Sequence, residues 1–431
     1  MSHSRRAWLT IAMLFLFMMI NFADKAALGL AAIPIMRDLH LSHAQFGSVG
    51  SSFFLLFSIA ALIVGFIANR IETRWIIAAM ALVWSLAQLP LMWNVPLAAL
   101  YASRLTLGAG EGPAFPVALH SAYKWFPEAR RLLPSSVIVI GASAGAGIVA
   151  PLTTFLIVTF SWHAVFAVLA LCGFAWTALW LASAREGPLR VAQPFAGEGE
   201  GEERIPYRRM LATGSVIGVW IVMFVAYAKA TLYVVWLPSY LTKVLGFSIA
   251  QTGWIVVLPA LSQIVASPLI AYGADRLRQA GVPSRLARGG VSCACVLVAG
   301  LALMALPLAP GHVLPVALVM LSTALGGIVF SLGPACIGEL SPVRQRGALL
   351  GLTNGIITIA GLLTPLALGV IVDVSADPMA GFRRGFLIFG ILVSTGALAG
   401  FALINPERDL LRIKGRNGEP AAAIAEIGPI V

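Results

Sequence analysis

The run PLAALYASRLTLGAGEGPAFPVAL occupies residues 96–119, and its reading decides the fold. It is long and apolar enough to cross a hydrocarbon core, which takes about 20 residues for about 30 Å. Yet it carries Arg104 and Glu111. Two residues seven positions apart sit nearly two helical turns from one another, on one face and about 10.5 Å apart along the axis. A charge at the centre of a bilayer costs roughly 2.5–3.5 kcal/mol on insertion scales. A chain that keeps both signs there has paired them or set them along a watery path. That pattern predicts a route for a solute or proton rather than an anchor.

The rest of the chain extends the pattern. Of 431 residues 59% are hydrophobic and 11% charged, against about 25% charged in a soluble domain; mean hydropathy is +0.91. Twelve apolar runs predict spans at 8–32, 46–68, 75–93, 96–119, 134–158, 162–184, 214–242, 250–272, 289–309, 313–336, 347–371 and 382–404. Three further charges fall deep inside them: Asp24, Lys25 and Lys229. With the N-terminus inside, 22 of the 29 Lys and Arg residues lie on the cytoplasmic side, the bias expected of a plasma-membrane protein. The net charge of +11 is spread over short loops, with no stripe for nucleic acid. Arg5 and Arg6 precede a run too long for a signal peptide, which is read as a retained first span. Cys172, Cys293, Cys295 and Cys336 lie in apolar segments without a metal-binding spacing, so packing is their expected role.

The two halves echo each other. Gly147-Ile-Val-Ala-Pro151 matches Gly361-Leu-Leu-Thr-Pro365 at an offset of 214 positions, an offset shared by Arg130 and Arg344. Asn69-Arg70 and Asp275-Arg276 follow the second and eighth spans. The expected architecture is an all-α membrane protein of twelve transmembrane helices in two pseudo-symmetric six-helix bundles. Its divisions are 1–184 for the first bundle, 185–213 for a cytoplasmic linker, 214–404 for the second bundle and 405–431 for a cytoplasmic tail.

Several of these segments resemble the major facilitator superfamily, and within it the anion–cation symporter branch that includes phthalate permease-like organic-anion transporters. They are Asn21-Phe-Ala-Asp24-Lys25-Ala-Ala-Leu28, the Arg104–Pro116 segment, Trp125-Phe-Pro-Glu128, Ser161-Trp-His-Ala-Val-Phe166, Trp236-Leu-Pro-Ser-Tyr-Leu241, and Asn354 with Gly361 and Pro365. The resemblance runs over nearly the whole chain, and the Arg104–Glu111 segment is its most specific part. It implies bacterial inner-membrane import of sugar acids, tartrate, phthalate, sulfoacetate or similar anions with protons, and both termini in the cytoplasm. It also implies proton uptake at Asp24 and Glu111, with Arg104 in the same network. The chain departs from the branch in carrying Lys25 where Arg is common, Ala142 where sugar-acid carriers have an amide, and Asn69 where the superfamily loop prefers Asp.

Depth along the spans puts Asp24 and Arg104 level in the outer half, with Glu111 deeper. The expectation is that Arg104 alternates between Asp24 or Glu111 and the substrate carboxylate; the alternative is a fixed ion pair joining two helices. Lys25, Arg104, Lys229, Tyr233 and Asn354 are the candidate substrate contacts, and three cations against two carboxylates favour an anion. Trp236 and Tyr240 are expected in the interfacial aromatic belt. Arg70, Asp275 and Arg276 are assigned to a cytoplasmic gate. No nucleophile–base pair, metal cluster or phosphate loop suggests an enzyme. The expected activity is proton symport of a small organic anion by alternating access, with a proton-driven exporter of a metabolite or drug as the alternative. No cofactor or metal is expected beyond the proton gradient, and the partners are the anion, protons and lipid, with a monomer as the working unit.

Overall fold

The computed structural model describes residues 3–67, 71–127, 130–189 and 205–415. The Arg70 gate assignment, the Gly197–Glu203 part of the linker and the tail beyond 415 lie outside them. Among the described residues every regular element is helical. The first half contains α1 (His3–Leu30), α2 (His43–Ile67), α3 (Thr73–Gln88), α4 (Leu97–Glu111, resuming at Ala114–Tyr123), α5 (Leu132–Ser143 through Ala150–Thr159) and α6 (Trp162–Ser183). The second contains α7 (Gly214–Lys243), α8 (Ile249–Ile255 and Val257–Gln279), α9 (Arg285–Gly290 and Val291–Ala305), α10 (Val313–Gly326 and Val329–Leu340), α11 (Val343–Asp373) and α12 (Pro378–Leu403). Eleven of these are long and apolar enough to cross a membrane; the twelfth is α4.

The sequence predicts α4 as one continuous run, but the helix is interrupted at Gly112-Pro113. Pro113 has no N–H to donate and its ring crowds the preceding turn. Gly112 still donates to the Gly108 carbonyl at 2.9 Å, and the helix resumes with Val117 bonded to Pro113. In α5 the approach to Pro151 relaxes into a π-turn over Ala144–Ile148, the bend expected where a proline withholds a donor.

Aromatic rings fill each bundle. Phe17 of α1 lies 4.7 Å from Trp84 and 5.0 Å from Trp176, while Tyr240 stacks on Phe386 at 4.3 Å. Trp236 and Tyr240 are therefore not belt residues. Both are buried, and the Trp236 indole donates to the Pro365 carbonyl at 3.0 Å. Burial against α11 and α12 with a bonded N–H outweighs interfacial placement.

The face carrying the start of α1 is called proximal here, and the opposite face distal. At the proximal end the repeat recurs in the capping. Glu186, just past α6, accepts from the Thr73 and Arg74 N–H groups at 3.2 Å and pairs with Lys124. Glu407, just past α12, likewise takes the first N–H groups of α9 at Ser284 and Arg285. Carboxylates at helix N-termini complement the dipole. Burial raises the affinity of Glu186 for a proton, but Lys124 and the two N–H groups outweigh it and hold its carboxyl below the ordinary range.

The bundles meet along α2–α11, α1–α7 and α5–α8. At the distal end Asp373 of α11 accepts from the His43 and Ala44 N–H groups of α2 at 3.0 and 2.8 Å, and its carboxylate lies 2.9 Å from His43 Nδ1. One turn on, a Cβ at Gly47 would strike the Pro365 carbonyl oxygen. Further in, the Leu366 N–H donates to Ser51. Halfway along α11, Ser58 donates to Thr358 at 2.7 Å. Beyond this pair, among the described residues, no hydrogen bond or ion pair joins the bundles toward the proximal face, and the proximal segments of α4 and α10 pack within their own bundles. The molecule is shut distally and parted proximally.

Candidate functional site

Where α1 and α7 separate, Gly29 abuts the Val234 carbonyl. Lys25 lies one turn proximal on the same face of α1, so it emerges at the head of the cleft. Its side chain keeps 17% of its surface exposed. The ammonium sits over the rings of Phe22 at 4.3 Å and Phe57 at 5.1 Å. It donates to Asn21 Oδ1 at 2.7 Å and pairs with Glu111 at 3.6 Å. Beside the pair α2 and α4 approach closely: a Cβ at Gly108 or Gly112 would strike the carbonyls of Phe53 and Phe57.

Asp24 points about 100° away from its neighbour and is fully buried. It faces Arg104 and Glu111 of α4 and Gln88 of α3. The Arg104 guanidinium is likewise buried and lies over the Phe166 ring at 5.2 Å. Its Nε and one Nη, both Asp24 oxygens, the Gln88 amide, Ser103 Oγ and Asn21 Nδ2 have no hydrogen-bond partner. The fold brings Asp24, Arg104 and Glu111 into one polar knot, as their depths predict, and adds Lys25 to it. The partner of Glu111 differs from expectation: it is Lys25, while Arg104 stays behind Asp24. A cation at the cleft edge thus holds one carboxylate, and a buried cation faces the other.

Asn354 stands across the cleft. On α11 it shares the face of Thr358, Gly361 and Pro365, which touch Ser58, Phe54 and Gly47 respectively. It lies one turn proximal of the last contact, and its side chain is exposed. Added Cβ atoms at Gly351 and Gly355 would meet open space, so this stretch of α11 borders the opening.

Lys229 and Tyr233 are together but elsewhere. On α7 the face toward the first bundle carries Tyr227, edge-on to Phe54 at 6.1 Å, and Val234. Lys229 is turned roughly 140–200° from these. It is 3% exposed and donates to the Ser322 carbonyl of α10 at 2.7 Å, with the Tyr233 ring 5.6 Å away. It belongs to the interior of the second bundle, and no carboxylate among the described residues pairs with it. Asp275 and Arg276 are exposed at the proximal end of α8, with Arg276 donating to Tyr272 of its own helix at 2.8 Å. Among the described residues they make no bond to the opposite bundle. His163 meets the Leu91 carbonyl at 2.8 Å, the backbone role its position suggests.

Two residues of the site escape sequence reasoning. Gln88 ends an apolar run just before Pro90 and reads as a helix terminus. Tyr227 lies two positions from Lys229 and is overshadowed by it, although its seven-residue spacing to Val234 places both on one face.

The family model described as Major Facilitator Superfamily matches residues 14–322 and 219–430. Among curated proteins the chain is similar to the probable galactarate/D-glucarate transporter GudP of Bacillus subtilis (strain 168), at 27% identity over 425 residues, covering 92% of this chain and 91% of that one. It is similar to the probable sulfoacetate transporter SauU of Cupriavidus necator at 26% identity, covering 90% and 91%. The D-galactonate transporter of Escherichia coli O6:H1 is 25% identical, covering 93% and 96%. Among solved structures, a D-xylose–proton symporter superposes with a TM-score of 0.75 at 15% identity, covering 93% and 99%. A bacterial homologue of the human lysosomal transporter Spinster, inward-facing and occupied, gives 0.76 at 16% identity, covering 94% and 97%. The structural likenesses show a shared fold.

Proposed function

The chain belongs to the major facilitator superfamily of membrane transporters, and we propose that it imports a small organic anion together with a proton by alternating access. The observation that carries this is the Lys25–Glu111 pair at the head of the cleft, with Asp24 and Arg104 buried behind it. An anion arriving at Lys25 competes with Glu111 for the same ammonium. Protonation of Glu111 removes the competitor, so anion and proton load together; loss of the proton restores the pair and expels the anion. Asn354 contacts the substrate from the opposite wall, and Arg104 keeps the buried site cationic. Lys229 and Tyr233, enclosed within the second bundle against α10, are left out of the anion site.

The relatives that transport galactarate, galactonate and sulfoacetate support a carboxylate or sulfonate substrate. On the positive-inside bias the proximal face is cytoplasmic in a bacterial inner membrane, and the conformation described is inward-facing. Asp275 and Arg276 lie where a gate between the cytoplasmic ends would close in the outward-facing state. Export is the competing direction for the same machinery.

The deciding experiment is reconstitution with labelled galactarate, galactonate, sulfoacetate, tartrate and phthalate. One anion is expected to exchange by counterflow in wild type and in Glu111→Gln, while pH-gradient-driven uptake falls at least 100-fold in the variant. Extrusion of a cation with no anion exchange would replace this reading with the exporter.

A further inference from the structure

We propose that Gln88 is a positioning residue for the proton carried by Asp24, its amide serving the carboxyl in both protonation states. This rests on the proton-coupling reading of Asp24. Gln88 closes α3 at the depth of Asp24 and is fully buried. Its side chain reaches the Asp24 carboxyl, at a geometry too loose for a hydrogen bond in this conformation, and neither amide atom has another partner. A buried amide without partners is retained at a cost to stability, which points to a task in another state of the cycle.

The chemistry suits that task. An amide both donates and accepts. When Asp24 is ionised, Gln88 Nε2–H donates to the carboxylate; when Asp24 is protonated, its O–H donates to Gln88 Oε1. A rotation of the amide therefore follows the proton without leaving either state unsatisfied. The titratable neighbours of Asp24 cannot do this. Arg104 of α4 and Lys25 of α1 donate without accepting, Glu111 of α4 carries its own charge to be balanced, and Cys172 of α6 is a weak hydrogen-bonding group. Trp84, one turn earlier on α3, packs on Phe17, which in turn packs on Trp176 of the aromatic core, so the backbone presenting Gln88 is anchored.

The test needs no substrate. Infrared titration of the full-length protein in lipid follows the C=O stretch of a protonated buried carboxyl, in a Glu111→Gln background that removes the coupled partner. The band lost on Asp24→Asn is that of Asp24. Because the bond to the ionised form is charge-assisted and the stronger of the two, Gln88→Leu is expected to move the band's midpoint upward by about half to one pH unit. Gln88→Asn, which keeps the amide, is expected to recover at least half of that shift. Gln88→Met carries the same expectation and serves where Gln88→Leu does not fold. A midpoint unmoved in the folded Leu or Met variant overturns the role of Gln88 alone. A titration in which no band follows Asp24 overturns the proton reading of Asp24 and this proposal with it.

Discussion

The interiors of the two bundles invite comparison because their scaffolds match and their chemistry does not. Each bundle caps its third helix with a carboxylate that follows its sixth: Glu186 on α3, Glu407 on α9. Each turns an ionisable residue of its first helix toward its fourth. In the first bundle that residue is Asp24, facing Gln88 and Arg104. In the second it is Lys229, facing Ser322 and the Gly326 backbone. Around Asp24 there are two cations, a second carboxylate and an amide; around Lys229 there are a carbonyl and a phenol ring. A duplicated frame has kept its packing and placed its exchangeable charges on one side. The first bundle is the proton-handling body in our proposal, and the second is the wall against which it works.

The sharpest way to break this contrast is at Lys25. Lys25→Ala leaves Glu111 buried without its partner, a change that costs about 3–5 kcal/mol in buried pairs. Counterflow of the transported anion is expected to fall at least 100-fold, with Lys25→Arg retaining part of it. Unchanged exchange would remove Lys25 from the anion site.

The seam offers a smaller effect that both bundles share. Asp373→Asn weakens charge-assisted bonds to the start of α2, worth about 1.5–3 kcal/mol to a charged group. Opening of the distal face, read as thiol labelling of a cysteine introduced at Ala44, is expected to rise about 5- to 30-fold. Labelling that stays at the wild-type rate would show that the glycine-lined contact at Gly47 holds the face shut without the carboxylate.

The smallest effect is expected at Lys229. A buried cation without a carboxylate is easily replaced by an apolar side chain of similar length, so Lys229→Met should raise the melting temperature or leave it alone, with exchange within about threefold of wild type. A tenfold loss of exchange would return this residue to the anion site and erase the asymmetry between the halves.

The spans were legible because hydrophobic length is a property of the chain itself, and so was the knot, since Asp24, Arg104 and Glu111 are too costly in lipid to be idle. Who pairs with whom was not. Lys25 and Glu111 are 86 positions apart, and their meeting depends on how α1 and α4 sit in the bundle, which no local pattern records. Lys229 reads with Arg104 as a candidate substrate contact, but a charge in a span says nothing of azimuth, and its face is set by the packing of Tyr227 and Val234 against the first bundle. Gln88 escaped notice because an amide at a helix end resembles a terminus, and only burial reveals it as part of the knot.

In the alternating-access cycle proposed above, the Ser58–Thr358 bond, at the midpoint of α11, is the fulcrum. Fifteen residues on either side give two arms of about 22 Å. A tilt of roughly 10° about that point swings each tip by about 4 Å in opposite senses on a helix of this length. Equal arms mean that whatever gap one mouth gains, the other surrenders. Two neutral hydroxyls at the pivot, where leverage is least, can stay joined through the stroke, so the hinge itself adds no electrostatic barrier to either direction of travel.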